Sequence, residues 1–330
     1  MKISRRALLL SAPAAVLASA CRSRPYRASD FLLPERSVVG LFPAASYDID
    51  LADVIGRGLE TLRVSVKGLR VLLKPNLVEY EAGTIINTNA AVVGGAAQAM
   101  LRAGAREVVV AEGPGHRRDI EYLVVSTGLY DHLRDSKLRF VDLNHDDIRP
   151  VSLRSRFTNL DQLMLPAELL QADLVVTMPK LKTHHWAVMT GSMKNLFGVV
   201  PGAVYGWPKN ILHFRGIENS ILDLVATVRP RLSIVDGIVG MEGDGPIMGT
   251  ARHVGVIAMG TDPVAVDATC ARLIGFDPAR IDYLSKGSEF LGNIDEGRIE
   301  HRGERLERYQ TAFASLEAFN ERRLDARASR

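Results

Sequence analysis

Seven short apolar runs alternate with helical stretches, and this rhythm constrains the fold more than any other feature of the chain. The runs lie at 38–42, 70–78, 107–113, 138–143, 173–180, 232–240 and 254–260. Most are unbroken Val, Ile and Leu rather than apolar–polar alternations, the pattern of strands covered on both faces. Between them, residues 88–104 open on Thr88 or Asn89 as a helix cap and stop at Gly104. Residues 263–275 open on Pro263 behind Asp262 and stop at Gly275. Residues 304–324 carry a charged amphipathic pattern, which predicts a C-terminal helix within 304–330. The expected fold is therefore α/β, with a mainly parallel sheet and helices on both faces. Residues 37–303 form this α/β domain, and a division into two lobes would fall near 150–170.

Composition narrows the function. In 330 residues, 41 Lys and Arg face 38 Asp and Glu, and aromatics are only 6%. A net charge of +3 without abundant stacking rings argues against nucleic acid as a partner. Two cysteines, Cys21 and Cys270, exclude a disulfide scaffold, an iron–sulfur cluster of the chain's own and a four-Cys zinc site.

The first residues read as an address. Lys2, Arg5 and Arg6 precede an apolar stretch from Ala7 to Ala18, too short to span a bilayer permanently. Ser4-Arg5-Arg6 followed by two leucines resembles a twin-arginine export signal. Ala18-Ser19-Ala20-Cys21 resembles a lipobox, with lipid on the Cys21 sulfur. Residues 1–21 are thus expected to direct export through the twin-arginine machinery. The chain would then be held to a membrane by lipid, on the periplasmic side or the cell surface. Residues 22–36 mix Arg, Ser and Pro without periodicity and read as a tether.

In open α/β sheets ligands bind beyond the carboxyl ends of the strands, so those junctions are where a strand-end site is expected. The richest is 178–213. In an extended chain Lys180, Lys182 and His184 share one face, and three basic groups so placed call for an anion. Thr190 or Ser192 can then cap a short helix ending at Gly198, leaving amide N–H groups for that anion. Lys194 in its first turn opposes the helix dipole, which makes sense if the amine faces the ligand. His213 opens the next helix.

A second junction, 112–118, places His116 as a general base and Arg117 as an anion clamp after a glycine turn. Lys74 and Asn76 accompany it; a buried Asn76 needs a partner. The third, 236–246, reads as an acidic loop through Asp236, Glu242 and Asp244, suited to bind a cation or orient a histidine.

Taken together, these segments resemble the uncharacterised family called domain of unknown function 362. The carrying stretches are 71–78, 172–184, 190–202, 236–246 and 261–267. Many members also carry a ferredoxin-like segment with clustered Cys, which this chain lacks. A more distant resemblance is to the lactate racemase family, which binds a nickel-pincer nucleotide. It rests on Gly113 to Arg117, on Gly191 to Lys194 with Pro201-Gly202, and on His213. That resemblance implies a covalently held cofactor at Lys194, nickel ligation by His213, and acid–base roles for His116 and His184.

The expectation is an exported, lipid-anchored enzyme acting on a small carboxylate or phosphate, with a metal or nickel-pincer type cofactor within its chemical reach. Isomerase, racemase-like and redox chemistry all stay open. The alternative is a non-catalytic lipoprotein binding an anionic ligand.

Overall fold

A computed structural model describes residues 24–115 and 119–325. The leader with Cys21, and His116 and Arg117, lie outside the described residues.

Twelve strands are described, in chain order: β1 Ser37–Pro43, β2 Arg70–Pro75, β3 Glu107–Glu112, β4 Phe140–Asp142, β5 Ile148–Ser152 and β6 Gln162–Pro166. After them come β7 Leu174–Met178, β8 Lys180–His184, β9 Val188–Thr190, β10 Leu232–Glu242, β11 Thr250–Gly260 and β12 Ile299–Gly303. The main sheet runs β12-β1-β11-β10-β7-β2-β3-β4, with β8 and β9 branching from β10. Pairing is parallel along β10-β7-β2-β3-β4 and antiparallel at β1-β11-β10 and β8-β9. The fold is α/β, with a mixed, mostly parallel sheet flanked by helices.

Alternate strand residues feed two apolar cores. Val71 and Leu73 face one with Val108 and Val110, while Leu72 and Ala111 face the other. Helices Leu51–Thr61 and Ala90–Arg102 cover the first face; Ile217–Val228 and Pro263–Leu273 cover the second. The expected caps form. The Asn89 side chain accepts the Ala91 amide, and Asp262 accepts those of Val264 and Ala265. Gly104 and Gly275 end these helices at φ 88° in both cases, where a side chain would be strained.

Three expectations are corrected. Residues 304–325 form no α-helix, only the 3₁₀ turns Leu306–Arg308 and Glu317–Arg322. Their backbone bonds to the body instead: Thr311 to Leu273, Phe313 to Ile274 and Leu324 to Gly275. With Phe313 and Phe319 buried, tertiary contacts outweigh the helical pattern. The described part of the tether is docked, because Tyr26 is buried and stacks on Phe290 at 4.1 Å. The acidic loop is largely strand, since β10 runs on to Glu242.

Candidate functional site

Strands β2, β3 and β7 are parallel neighbours, and beyond their carboxyl ends lies a cavity of about 360 Å³. Lys74, Asn76, Lys182, His184, Lys194 and His213 all line it. A wider, open hollow of about 870 Å³ by Arg280 and Arg323 contains none of the strand-end residues.

Lys74, the last residue but one of β2, is fully buried. Its ammonium is ion-paired to Glu112 at the end of β3 and also reaches Asn195 Oδ1 at 3.1 Å. Glu112 in turn accepts the Leu77 and Gly113 amides. This pair ties the two strand ends together, and its charge is internally balanced. Gly198 is required beside it, because a Cβ there would collide with Glu112 Oε1.

Lys180 does not join the cavity. Its ammonium pairs with Asp236 at 2.5 Å and reaches Tyr47 Oη at 3.0 Å. The β8–β10 register breaks between the Asp236–Lys180 and Met241–Lys182 pairs, so alternation along β8 does not keep both lysines on one rim. Asp236 is thereby spent as a structural counter-ion, and it also accepts the Asn89 amide. Glu242 accepts the Ala314 amide, and Asp244 lies 3.5 Å from His185. The three acids do not form one site. Among the described residues no group of three or more His, Cys, Asp or Glu could hold a metal ion.

The remaining cavity lysines carry no salt bridge among the described residues. Lys182 donates to the carbonyls of Ile86 and Pro246 at 2.7 and 3.1 Å. Burial, then repulsion from Lys194 and Lys180, holds its amine well below the usual lysine range. Lys194 has its amine 5.5 Å from the centre of the Phe197 ring. Loss of water, then the nearby Lys74, lowers it to about 8. Lys209 is a third such amine. It is buried, donates to Asn144 Oδ1 at 2.6 Å and to the Val200 carbonyl, and is lowered to about 7 by burial. Three lysines in a cavity whose lining carboxylate, Glu112, is already paired with Lys74 make an anion the natural complement.

Two of the three histidines that line the cavity, His184 and His213, differ in tautomer. His184 Nδ1 accepts the Trp186 amide at 3.1 Å and that of Ala187 at 3.4 Å, so its proton sits on Nε2. Burial and the surrounding cations hold His184 well below the usual histidine range, as a neutral donor. His213 is the reverse. Its Nδ1 lies 3.1 Å from the Lys209 carbonyl, which can only accept, so Nε2 keeps its lone pair. Burial lowers this imidazole too. The Trp186 ring, 60% exposed, meets His213 edge-on at 5.3 Å between ring centres.

The expected anion site at the 190–198 helix start is already taken. The segment is a 3₁₀ turn, Lys194–Val199, preceded by the Ser192 and Met193 amides. Both amides donate to the buried Asp267 carboxylate, at 2.5 and 3.0 Å. Burial raises Asp267 to about 7. Gly191 leaves it room, since a Cβ would approach that carboxylate to 2.5 Å.

Two other cavity groups are buried without hydrogen-bond partners: Asn76 Oδ1 and Thr190 Oγ1. Unsatisfied polar atoms facing a cavity suit a ligand that brings its own donors.

The cavity thus brings Lys74, Asn76, Lys182, His184, Lys194 and His213 together, while Lys180, Asp236, Glu242 and Asp244 do not line it. The sequence reading misses Glu112, Lys209 and Asn144. Asn144 follows the 138–143 strand and was findable by the strand-end rule. It accepts the Gly202 amide at 2.8 Å as well as Lys209. Lys209 sits at φ 74°, and nothing in Trp207-Pro208-Lys209 signals a buried amine.

Comparison with known proteins agrees with the strand-end motifs. The profile of the family described as "Domain of unknown function (DUF362)" matches residues 71–272. Over 234 residues the chain is 33% identical to the thylakoid-associated protein sll1697 of Synechocystis sp., covering 68% of each. Among solved structures it is similar to the lactate racemase apoprotein from Thermoanaerobacterium thermosaccharolyticum. That match has 12% identity and a TM-score of 0.44, over 74% of this chain and 59% of that one. A structural-genomics crystal structure of a Thermotoga maritima protein matches at 13% identity and a TM-score of 0.39, over 67% and 57%. The chain thus spans under two thirds of both solved chains.

Proposed function

Since the chain belongs to the domain of unknown function 362 family, we propose that its strand-end cavity binds a small carboxylate or phosphate and moves a proton on it. The single observation behind this reading is the His213 imidazole, held through Nδ1 with Nε2 bare, beside three lysines without acid partners. The lysines neutralise the anion. His213 takes the proton. His184, a neutral donor, hydrogen-bonds an oxygen of the ligand. At neutral pH Lys194 and Lys209 lie near their own titration points, which suits them to return a proton.

We extend this reading to a cofactor that carries most of its own metal donors. The described residues form no protein-only metal cage. Such a cofactor would take only its last metal donor and its point of attachment from the chain. His213 Nε2 and the Lys194 amine, neither bound to another side chain by a hydrogen bond, can supply them. Such a group supplies electron-accepting chemistry when bound. Intact mass of natively exported protein tests this, since Lys194→Met removes any mass increment attached there.

The sequence also carries the proposal that the protein is exported and lipid-anchored at Cys21. Replacing Arg5 and Arg6 by Lys stops its export, and Cys21→Ala releases it from the membrane.

The experiment for proton transfer is deuterium incorporation. The exported protein is incubated in heavy water with a panel of carboxylates and phosphate esters and followed by NMR. Exchange that His213→Gln abolishes supports the reading. Binding without exchange leaves an anion-binding protein, and exchange that survives His213→Gln removes His213 as the base.

A further inference from the structure

The first described residues build a second surface, which shares no lining residue with the strand-end cavity. Tyr26 stacks on Phe290, Phe31 meets Phe290 edge-on at 4.9 Å, and the Pro34 carbonyl accepts Asn293 Nδ2 at 2.9 Å. The segment between is therefore fixed at both ends, yet it holds Leu32 95% exposed and Leu33 40% exposed. A leucine pinned in water forgoes burial worth having. Arg154 joins the two hollows flanking this segment: it donates to the Asp30 carbonyl and lies 5.3 Å over the Phe31 ring. One hollow is lined by Arg24, Arg27, Arg154 and Arg156, and the other by Arg229 and Arg231. Burial, then Arg154 and Arg231, lowers Arg229, so those guanidinium groups crowd one another. The acids nearby are fewer. Asp161 is paired with Arg156, Glu289 with the Tyr26 hydroxyl, and the buried Asp262 of the second hollow with Ser37 and the Val264 and Asn293 amides, leaving Asp30 and Glu35.

We propose that this face is a membrane-docking surface: Leu32 and Leu33 insert at the headgroup level of an anionic bilayer while the surrounding arginines hold its phosphates. A fixed apolar tip ringed by cations matches the chemistry of a lipid surface, apolar beneath and anionic above. The position in the chain agrees. Cys21 lies three residues before Arg24, at most about 11 Å away along an extended chain. A lipid on Cys21 would bring this face to the bilayer, and the arginines would supply the second attachment that stable anchoring takes.

The test uses the full chain with two sets of vesicles, phosphatidylcholine alone and an equal mixture with phosphatidylglycerol. The quantity read is the gain in binding from the anionic lipid, which a lipid on Cys21 alone would not produce. An arginine near such a surface contributes about fivefold in partitioning. Arg24, Arg27 and Arg231 are exposed and form no side-chain bond among the described residues. Reversing them together (R24E, R27E, R231E) lowers the anionic gain at least about tenfold. Leu32→Trp fluorescence is quenched by brominated lipid beyond the quenching of the unmodified chain. Equal binding to both vesicle types, an anionic gain that survives the triple reversal, or an unquenched Trp at position 32 overturns the proposal. None of these outcomes bears on the anion cavity.

Discussion

His213 donates its Nδ1 proton to the backbone carbonyl of Lys209, 3.1 Å away, and this bond decides which nitrogen can do chemistry. The same short segment thus sets the tautomer of the imidazole and supplies a buried amine at about 7. Its first consequence is spectroscopic. Nitrogen NMR will show His213 protonated at Nδ1 and His184 at Nε2 in neutral solution. Both will titrate below the ordinary 6.5 of histidine, because burial disfavours their cations.

The amines predict a dependence of stability on pH. Lys194 and Lys209 fall to about 8 and about 7 in the fold, against an ordinary value near 10.4. Between those values the unfolded chain holds more protons than the folded one, so stability rises with pH from about 7 to about 10. Thermal melts across that range check the sign. Lys209→Met flattens the rise; a slope that falls with pH contradicts the assignment.

Paired and unpaired lysines should respond differently to loss of charge. Lys74→Met strands the buried Glu112 carboxylate and costs about 3–5 kcal/mol. Lys182→Met breaks no salt bridge and leaves the buried Ile86 carbonyl and the part-buried Pro246 carbonyl unmet, so its cost is about 1–3 kcal/mol, below that of Lys74→Met. Denaturant midpoints at constant slope compare the two.

Asp267 holds the turn that carries Lys194. Asn at this position offers one acceptor where two amides donate, and turns an NH₂ toward the other. Asp267→Asn should cost about 2–4 kcal/mol and lower anion binding with it, because the Lys194 turn loosens. Calorimetric unfolding and anion titration of the variant read both effects.

Much of the fold was legible because its signals are local. The unbroken runs gave the parallel centre of the sheet, and Asn89, Gly104, Asp262 and Gly275 marked two helices within a residue or two. The 304–324 segment was misread because its apolar residues follow a helical period, yet they are anchored one by one, Phe313 and Phe319 above all. In the site, type and chain position sufficed for Lys182, His184, Lys194 and His213. They failed for Lys180, because the break in β8–β10 pairing is a property of the partner strand. Asp267 lies in the 261–267 stretch, but its role was not legible, because it sits 75 residues from the amide it holds.

The central claim is that the cavity lysines await an anion, and titration with one of fixed charge tests it most directly. Sulfate and oxalate keep their charge near neutrality, so any pH dependence belongs to the protein. The full chain should melt at higher temperature as either anion is added. The shift should shrink between about pH 7 and pH 9 as the Lys209 and Lys194 amines lose their protons. It should vanish when Lys182 and Lys194 are both replaced by Met. A melting temperature indifferent to both anions, or a shift that the double variant retains in full, would contradict the account.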